Sequence, residues 1–308
     1  MYFPYLRGRQ YELIGVQELL DNSAISPKVI PVIEPVRASS TLINTLNKCN
    51  QLNQPVAFVI NPKVGQFVKE FNSFDKKDAL LEAIKNDNVI KAYIVDNNIG
   101  TIISRLSRFN TSVDKTLFVF DKKDFINGYT SALGSNTALF NLIPDERDFR
   151  RNVHTNRVIL SDPFRAQDRN SDYSETPELF SCDHMYYASD GYCGFADYSI
   201  VGNKFSETGF APYCLVIHIV YFDQNNNLMI RHFRSRSNED ISDPANKFHE
   251  ALDALLDWNE TAQLDTYALR QFKQYYDKGD YPGLGTIKKL SIMHHVELIN
   301  TYLNANPK

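Results

Sequence analysis

Val56-Ala57-Phe58-Val59-Ile60-Asn61 reads as a strand buried on both faces, and it has five companions in the first 162 residues. These are Val29-Ile30-Pro31-Val32-Ile33-Glu34, Ala92-Tyr93-Ile94-Val95-Asp96, Leu117-Phe118-Val119-Phe120-Asp121, Ala138-Leu139-Phe140-Asn141-Leu142-Ile143 and Val158-Ile159-Leu160-Ser161-Asp162. Continuous β-branched and aromatic runs of this length are what parallel strands covered on both sides look like. Helix-period stretches separate them, so the repeating unit is βα. Tyr2–Leu6 extends the series at the front and Phe195–Gly202 at the back, which makes eight strands. Eight such strands predict an α/β fold of the (β/α)8 TIM-like barrel type. An open doubly wound sheet is the alternative, because closure is not written in a single sequence.

Residues 164–193 break the pattern: they are polar and aromatic without a period. A loop of that length inside a compact domain is commonly functional. Tyr213–Tyr221 and Leu228–Phe233 then flank the Asn-rich turn 222–227, a β-hairpin signature. The hairpin, within an insertion spanning 203–243, follows strand eight and is expected on the strand C-terminal face, where such barrels work. Helices are expected over 245–258, 266–276 and 287–303, the last two forming a C-terminal helical extension (260–308) of a single 1–308 domain.

The chain has 308 residues and a formal net charge of −4, so no global basic field argues for nucleic acid. Four scattered cysteines (Cys49, Cys182, Cys193, Cys214) do not make a disulfide scaffold and read as reduced thiols. The first residues lack the basic and apolar regions of a signal peptide. The longest apolar stretch, Tyr213 to Phe222, is about half of the ~20 residues a membrane helix needs. A cytoplasmic protein with no membrane partner is therefore expected.

Several stretches resemble the bacterial and phage family called the beta protein family. They are Tyr2-Phe3-Pro4-Tyr5-Leu6-Arg7-Gly8-Arg9-Gln10-Tyr11-Glu12, Ile30-Pro31-Val32-Ile33-Glu34-Pro35-Val36, Gly194 to Gly202 continuing through Phe205-Ser206-Glu207-Thr208-Gly209, and Ile230-Arg231-His232-Phe233-Arg234-Ser235 continuing to Asp243-Pro244. The resemblance implies no settled activity. It implies a place among mobile-element or phage-conflict gene sets.

Chemistry is expected at the strand ends. Glu34, Asn61, Asp96, Asp121, Asp162 and Asp197 would converge on one rim of a closed barrel. Glu34, Asp96, Asp121 and Asp162 are the hard-oxygen set for Mg²⁺ or Ca²⁺; Glu34 and Asp197 are alternatively a general acid and base. The plain structural reading is that strand-end Asp and Asn start loops by bonding their own backbone. Arg7 and Arg9 around Gly8 suit bidentate phosphate recognition, or else pair with the acidic rim. In Arg231-His232-Phe233-Arg234-Ser235-Arg236, strand alternation puts His232, Arg234 and Arg236 on one face. That basic stripe could lean over the rim, with His232 as proton donor; the structural reading is a charge-guarded sheet edge. Asn61, Arg234 and Arg236 complete the substrate-binding set.

Weaker signals add little. Cys182-Asp183-His184 with Cys193 has no standard zinc spacing. His294-His295 reads as a surface and part-buried pair. Gly283-Leu284-Gly285 lacks the Lys and spacing of a P-loop. No Gly-x-Ser-x-Gly elbow and no His-Glu-x-x-His is present.

The expected function is thus a hydrolase or lyase for a phosphate-bearing substrate, a nucleotide or nucleic acid. The competing reading is a non-catalytic barrel that docks a partner protein or phage component. An enzyme should ring an open pocket with carboxylates; a docking module should fill its mouth with aromatic rings.

Overall fold

The computed structural model describes residues 1–206 and 212–306. The expected hairpin insertion and one of the family-like segments run partly outside them. Eight parallel strands close into a barrel: β1 (Tyr2–Leu6), β2 (Val32–Ile33), β3 (Val56–Val59), β4 (Val89–Ile94), β5 (Thr116–Val119), β6 (Phe140–Ile143), β7 (Arg157–Ser161) and β9 (Gly194–Asp197). The seam pairs β9 with β1 through Tyr2↔Phe195 and Phe3↔Ala196. Gly194 is needed there, since a Cβ would lie 2.8 Å from both the Met1 carbonyl and the Phe3 ring.

Alternation along each strand sorts side chains into two cores. Phe3, Tyr5, Val32, Ala57, Val59, Ala92, Ile94, Leu117, Val119, Leu142, Val158, Leu160 and Ala196 fill the barrel interior. The intervening residues, such as Tyr2, Phe58, Tyr93, Phe118 and Phe195, pack outward against the helices. The alanines leave the room that the Phe3 and Tyr5 rings occupy. Each fully buried large apolar side chain contributes about 1.5–3 kcal/mol.

Helices α1 (Gln10–Asp21), α2 (Ser40–Gln51), α3 (Phe67–Glu70), α4 (Lys77–Lys85), α5 (Ile102–Ser107), α6 (Ile126–Leu133) and α7 (Arg147–Asn152) follow the first six strands. The aperiodic stretch after β7 contains a strand, β8 (Glu178–Ser181), and a helical turn, α8 (Asp183–Tyr186). Four residues with only Phe180 buried carry too little alternation to announce a strand.

The hairpin forms as expected: β10 (Val216–Phe222) pairs antiparallel with β11 (Leu228–Arg234), and β8 joins the outer edge of β11. Its position is a correction. The small sheet lies between α9 (Pro244–Ala262), through Trp258 against Tyr221 and Phe233, and the last helix α11 (Leu284–Ala305). It does not lean over the rim, because both of its faces are apolar enough to need covering. Helix α10 (Tyr267–Lys278) packs on α9 and α11, and α11 packs on α1 and β1. The final helix therefore joins the ring around the barrel. Among the described residues no helix is long and apolar enough to cross a membrane.

Candidate active site

Continuing the interior phase past the strand ends brings Arg7, Glu34, Asn61, Asp96, Asp121, Asp162 and Tyr198 to the C-terminal mouth. At its centre the Tyr5 and Tyr198 rings lie 5.0 Å apart, and the Arg7 guanidinium sits 5.3 Å from each ring centroid. Glu34, 1% exposed, is fully occupied. It accepts from Tyr5 Oη at 2.8 Å, from the Lys63 amide at 2.7 Å and from Arg7. Arg7 also donates to the Asn203 carbonyl, and Arg9 donates to the Ser206 carbonyl while lying over the Phe205 ring. Both arginines expected to hold a phosphate are thus spent on the protein, and Glu34 is a structural partner of Arg7.

Asp121 is exposed and makes no hydrogen bond among the described residues. Asp162 accepts from the Asn203 amide at 3.1 Å. Partial burial pushes the Asp162 carboxyl above its ordinary range, although the Asn203 amide opposes this. Burial pushes the Tyr198 phenol up to about 12; the Glu34, Asp162 and Asp121 charges add to the rise and Arg7 opposes it. Among the described residues no three His, Cys, Asp or Glu side chains are grouped so as to hold a metal ion. Glu34 and Asp162 are held by separate partners, and Asp121 has none among the described residues.

A second network lies beside the mouth, over β3 and β4. The Asn61 amide extends the ladder, donating to the Ile94 carbonyl and accepting from its N–H, each at 2.8 Å. Asp96 accepts from Tyr93 Oη at 2.8 Å, from the Asn98 amide at 2.9 Å and from Lys63 Nζ. Burial alone would raise its carboxyl, but these hydrogen bonds outweigh it and hold the group below its usual range. The loop carrying Lys63 turns at Gly65, with φ +74° and no space for a Cβ, which would meet the Val36 carbonyl at 2.4 Å.

Next to this network is a pocket of about 440 Å³ lined by Asn61, Tyr93, Thr101, Ser104, Arg105 and Arg108. Arg105 Nη1 is 3.4 Å from Tyr93 Oη. Neither arginine makes an ion pair among the described residues. No feature of the sequence marked them: Arg105 is one of many helical cations and Arg108 caps the end of α5, and only the fold sets Arg105 beside Tyr93, whose hydroxyl donates to Asp96.

Four expected site residues, Asp197, His232, Arg234 and Arg236, lie elsewhere. Asp197 has the outward phase, opposite to its neighbours Ala196 and Tyr198. It accepts from Tyr2 Oη at 2.9 Å and from the Ser199 amide at 2.8 Å. His295 of α11 stands beside it, 3.7 Å away through Nε2, and bonds Ser199 Oγ through Nδ1 at 2.9 Å. Ser, His and Asp so arranged resemble a nucleophilic triad, yet Ser199 and His295 are 0% exposed and Asp197 is 4% exposed. No substrate reaches them, and they fasten α11 to the barrel. His294 is equally buried, between Val220 and Thr266, so the pair expected near the surface is a core feature.

His232 is held in the small sheet by His218, and Arg234 by Ser171 and Glu175. Arg236 is exposed and 3.7 Å from Asp253. The basic stripe therefore serves the sheet and not the mouth. The Cys182, His184 and Cys193 side chains also have separate partners: Asn227, Asn226 and Arg157.

No family model, curated protein or solved structure matches the chain.

Proposed function

We propose that this protein is a hydrolase or lyase acting on a phosphate-bearing substrate, a nucleotide or nucleic acid, at the β3–β4 side of the barrel mouth. The observation that carries the reading is one pocket lined by Arg105 and Arg108, neither in an ion pair among the described residues, and by Tyr93 and Asn61, which link it to the Lys63–Asp96 pair: Arg105 Nη1 is 3.4 Å from Tyr93 Oη, and that hydroxyl donates to Asp96. Planar guanidiniums match phosphate oxygens in a bidentate manner. In hydrolysis a water oxygen attacks phosphorus and its proton passes to Asp96. The ester P–O bond breaks, and the leaving oxygen takes a proton from Lys63. The direct Lys63–Asp96 hydrogen bond then returns the proton to Lys63 and resets the site. Mg²⁺ or Ca²⁺ enters this scheme only with the substrate's phosphate. The reading includes a cytoplasmic setting, consistent with four free cysteines, and membership of the beta protein family with its phage-conflict associations.

The test is release of product from nucleoside phosphates and short oligonucleotides. Asp96→Asn and the double variant Arg105→Gln with Arg108→Gln should each lower kcat/KM at least about a hundredfold, in keeping with removal of a proton-transfer group or of charge stabilisation. Full activity in both variants would refute the assignment.

One observation favours the docking alternative: Tyr5, Arg7 and Tyr198 fill the centre of the mouth. A partner protein would then be read by the rim. A barrel that turns over no phosphate ester and co-purifies with a partner lost on Tyr198→Ala would support that second reading.

A further inference from the structure

A separate cavity of about 320 Å³ lies between the small sheet, the loop after β7 and helix α11. Its walls include the Phe164 and Tyr173 rings, Leu215 and Ile287, and four polar groups converge on it: Asn170, His218, Lys288 and Ser291. The Tyr173 ring centroid is 4.7 Å from those of both His218 and His232, and that of Phe164 is 5.1 Å from His218. His218 and His232 are direct cross-strand partners, their Nδ1 atoms 2.7 Å apart. Burial holds both imidazoles below their ordinary range, so both rings are neutral near pH 7.

Two neutral imidazoles joined Nδ1 to Nδ1 share one proton between those atoms. One ring donates, which leaves its Nε2 a bare acceptor; the other accepts and carries its proton on Nε2. Moving the shared proton alone would leave an imidazolate beside an imidazolium, so exchanging the roles also requires one Nε2 to lose its proton to solvent and the other Nε2 to take one up. His218 therefore offers the cavity either a donor or an acceptor without any charge appearing. Its Nε2 has no partner among the described residues. Ser291 is 2% exposed, and its hydroxyl also has none. Lys288, at the cavity edge, makes no ion pair among the described residues. Aromatic and aliphatic walls with a few unmet polar groups are the general form of a small-molecule site.

We infer that this cavity binds a planar aromatic or heteroaromatic acid of one or two rings, its ring against Phe164 and Tyr173, a ring heteroatom on His218 Nε2 and its anionic group at Lys288. The site is independent of the chemistry proposed at the barrel mouth. Volume sets the upper limit on ring count, and the single unpaired ammonium sets the charge.

Indole-3-carboxylate is the probe, with neutral indole as its control, titrated calorimetrically into the full chain. Saturable one-to-one binding is expected, weaker by about tenfold for neutral indole and in Lys288→Met, the loss that corresponds to one charge-assisted contact. Imidazole ¹⁵N shifts should register the bound ring at both His218 and His232, since their tautomers are linked. Lys288 is exposed, so Lys288→Met leaves folding intact; Ser291→Ala provides a second, conservative variant with a smaller loss. The assignment is overturned if indole-3-carboxylate fails to bind at millimolar concentration, if Lys288→Met binds it as well as the wild type, or if the imidazole signals do not move.

Discussion

Asp197 Oδ2 lies 3.7 Å from His295 Nε2, with both side chains sealed where β9 meets α11. Burial drives the two in opposite senses: the Asp197 carboxyl up to about 7, the His295 imidazole down to about 3. Below about pH 7 the neutral acid beside the neutral imidazole is thus the resting form. At 3.7 Å the contact is too long for a hydrogen bond, so the imidazole Nε2 stays unsatisfied.

These opposed shifts predict a masked pH dependence. For Asp197 the folded state holds the proton more tightly than the unfolded state, so between about pH 4 and 7 its contribution falls as pH rises. For His295 the unfolded state holds the proton more tightly, so between about pH 3 and 6.5 its contribution rises with pH. In the wild type the two slopes largely cancel. Relative to wild type, His295→Gln should therefore lose stability as pH rises across this range, and Asp197→Asn should gain it. Urea unfolding at several pH values checks this; parallel curves for the two variants would exclude it.

Both residues illustrate how far sequence could be read. The barrel strands announced themselves because a strand covered on two faces is written as an unbroken apolar run, and the hairpin because its turn is rich in Asn. The rim failed at Asp197 for a reason of phase. In a period-2 element a shift of one residue reverses the face, and the end of Phe195-Ala196-Asp197 does not state which of its residues is the last inside. His295 and Ser199 are 96 positions apart, and nothing local to either marks the other. Arg105 and Arg108 were invisible for the same reason: an unpaired arginine is defined by what does not lie near it.

The Arg7–Glu34 pair is nearly dry, with side-chain exposures of 13% and 1%. Breaking one partner of a buried pair leaves the other charge uncompensated. Glu34→Ala should cost about 3 kcal/mol in urea unfolding at neutral pH. Glu34→Gln should cost less, since an amide oxygen at the Oε2 position still accepts from Tyr5 and Arg7, although the Lys63 amide loses its acceptor at Oε1. The double variant Arg7→Met with Glu34→Met should recover much of the loss. A double variant less stable than Glu34→Ala would show that the pair itself is net stabilising.

Gly65 supports the site through backbone geometry alone. A side chain there is opposed twice, by φ +74° and by the Val36 carbonyl 2.4 Å from the position of the Cβ. Gly65→Ala should lower stability by about 1–3 kcal/mol. Because the same loop aims Lys63 at Asp96, it should also lower kcat more than its stability loss at the assay temperature explains. Equal kcat in Gly65→Ala and wild type would mean that the loop's placement is irrelevant to turnover.

Phosphate alone should report on the Arg105–Arg108 pocket. A ligand that binds only the folded chain raises stability by mass action, about 2.7 kcal/mol at a hundred times its Kd. Inorganic phosphate titrated at fixed ionic strength should therefore raise Tm, and sodium chloride at the same ionic strength should not, since screening acts on all surface charges alike. The increment should shrink in Arg108→Gln and vanish when Arg105→Gln is added, whereas Arg9→Gln should leave it unchanged, because Arg9 already donates to Ser206. A phosphate shift that survives the Arg105 and Arg108 changes and disappears with Arg9→Gln would move the anion to the β1 side of the mouth and with it the proposed chemistry.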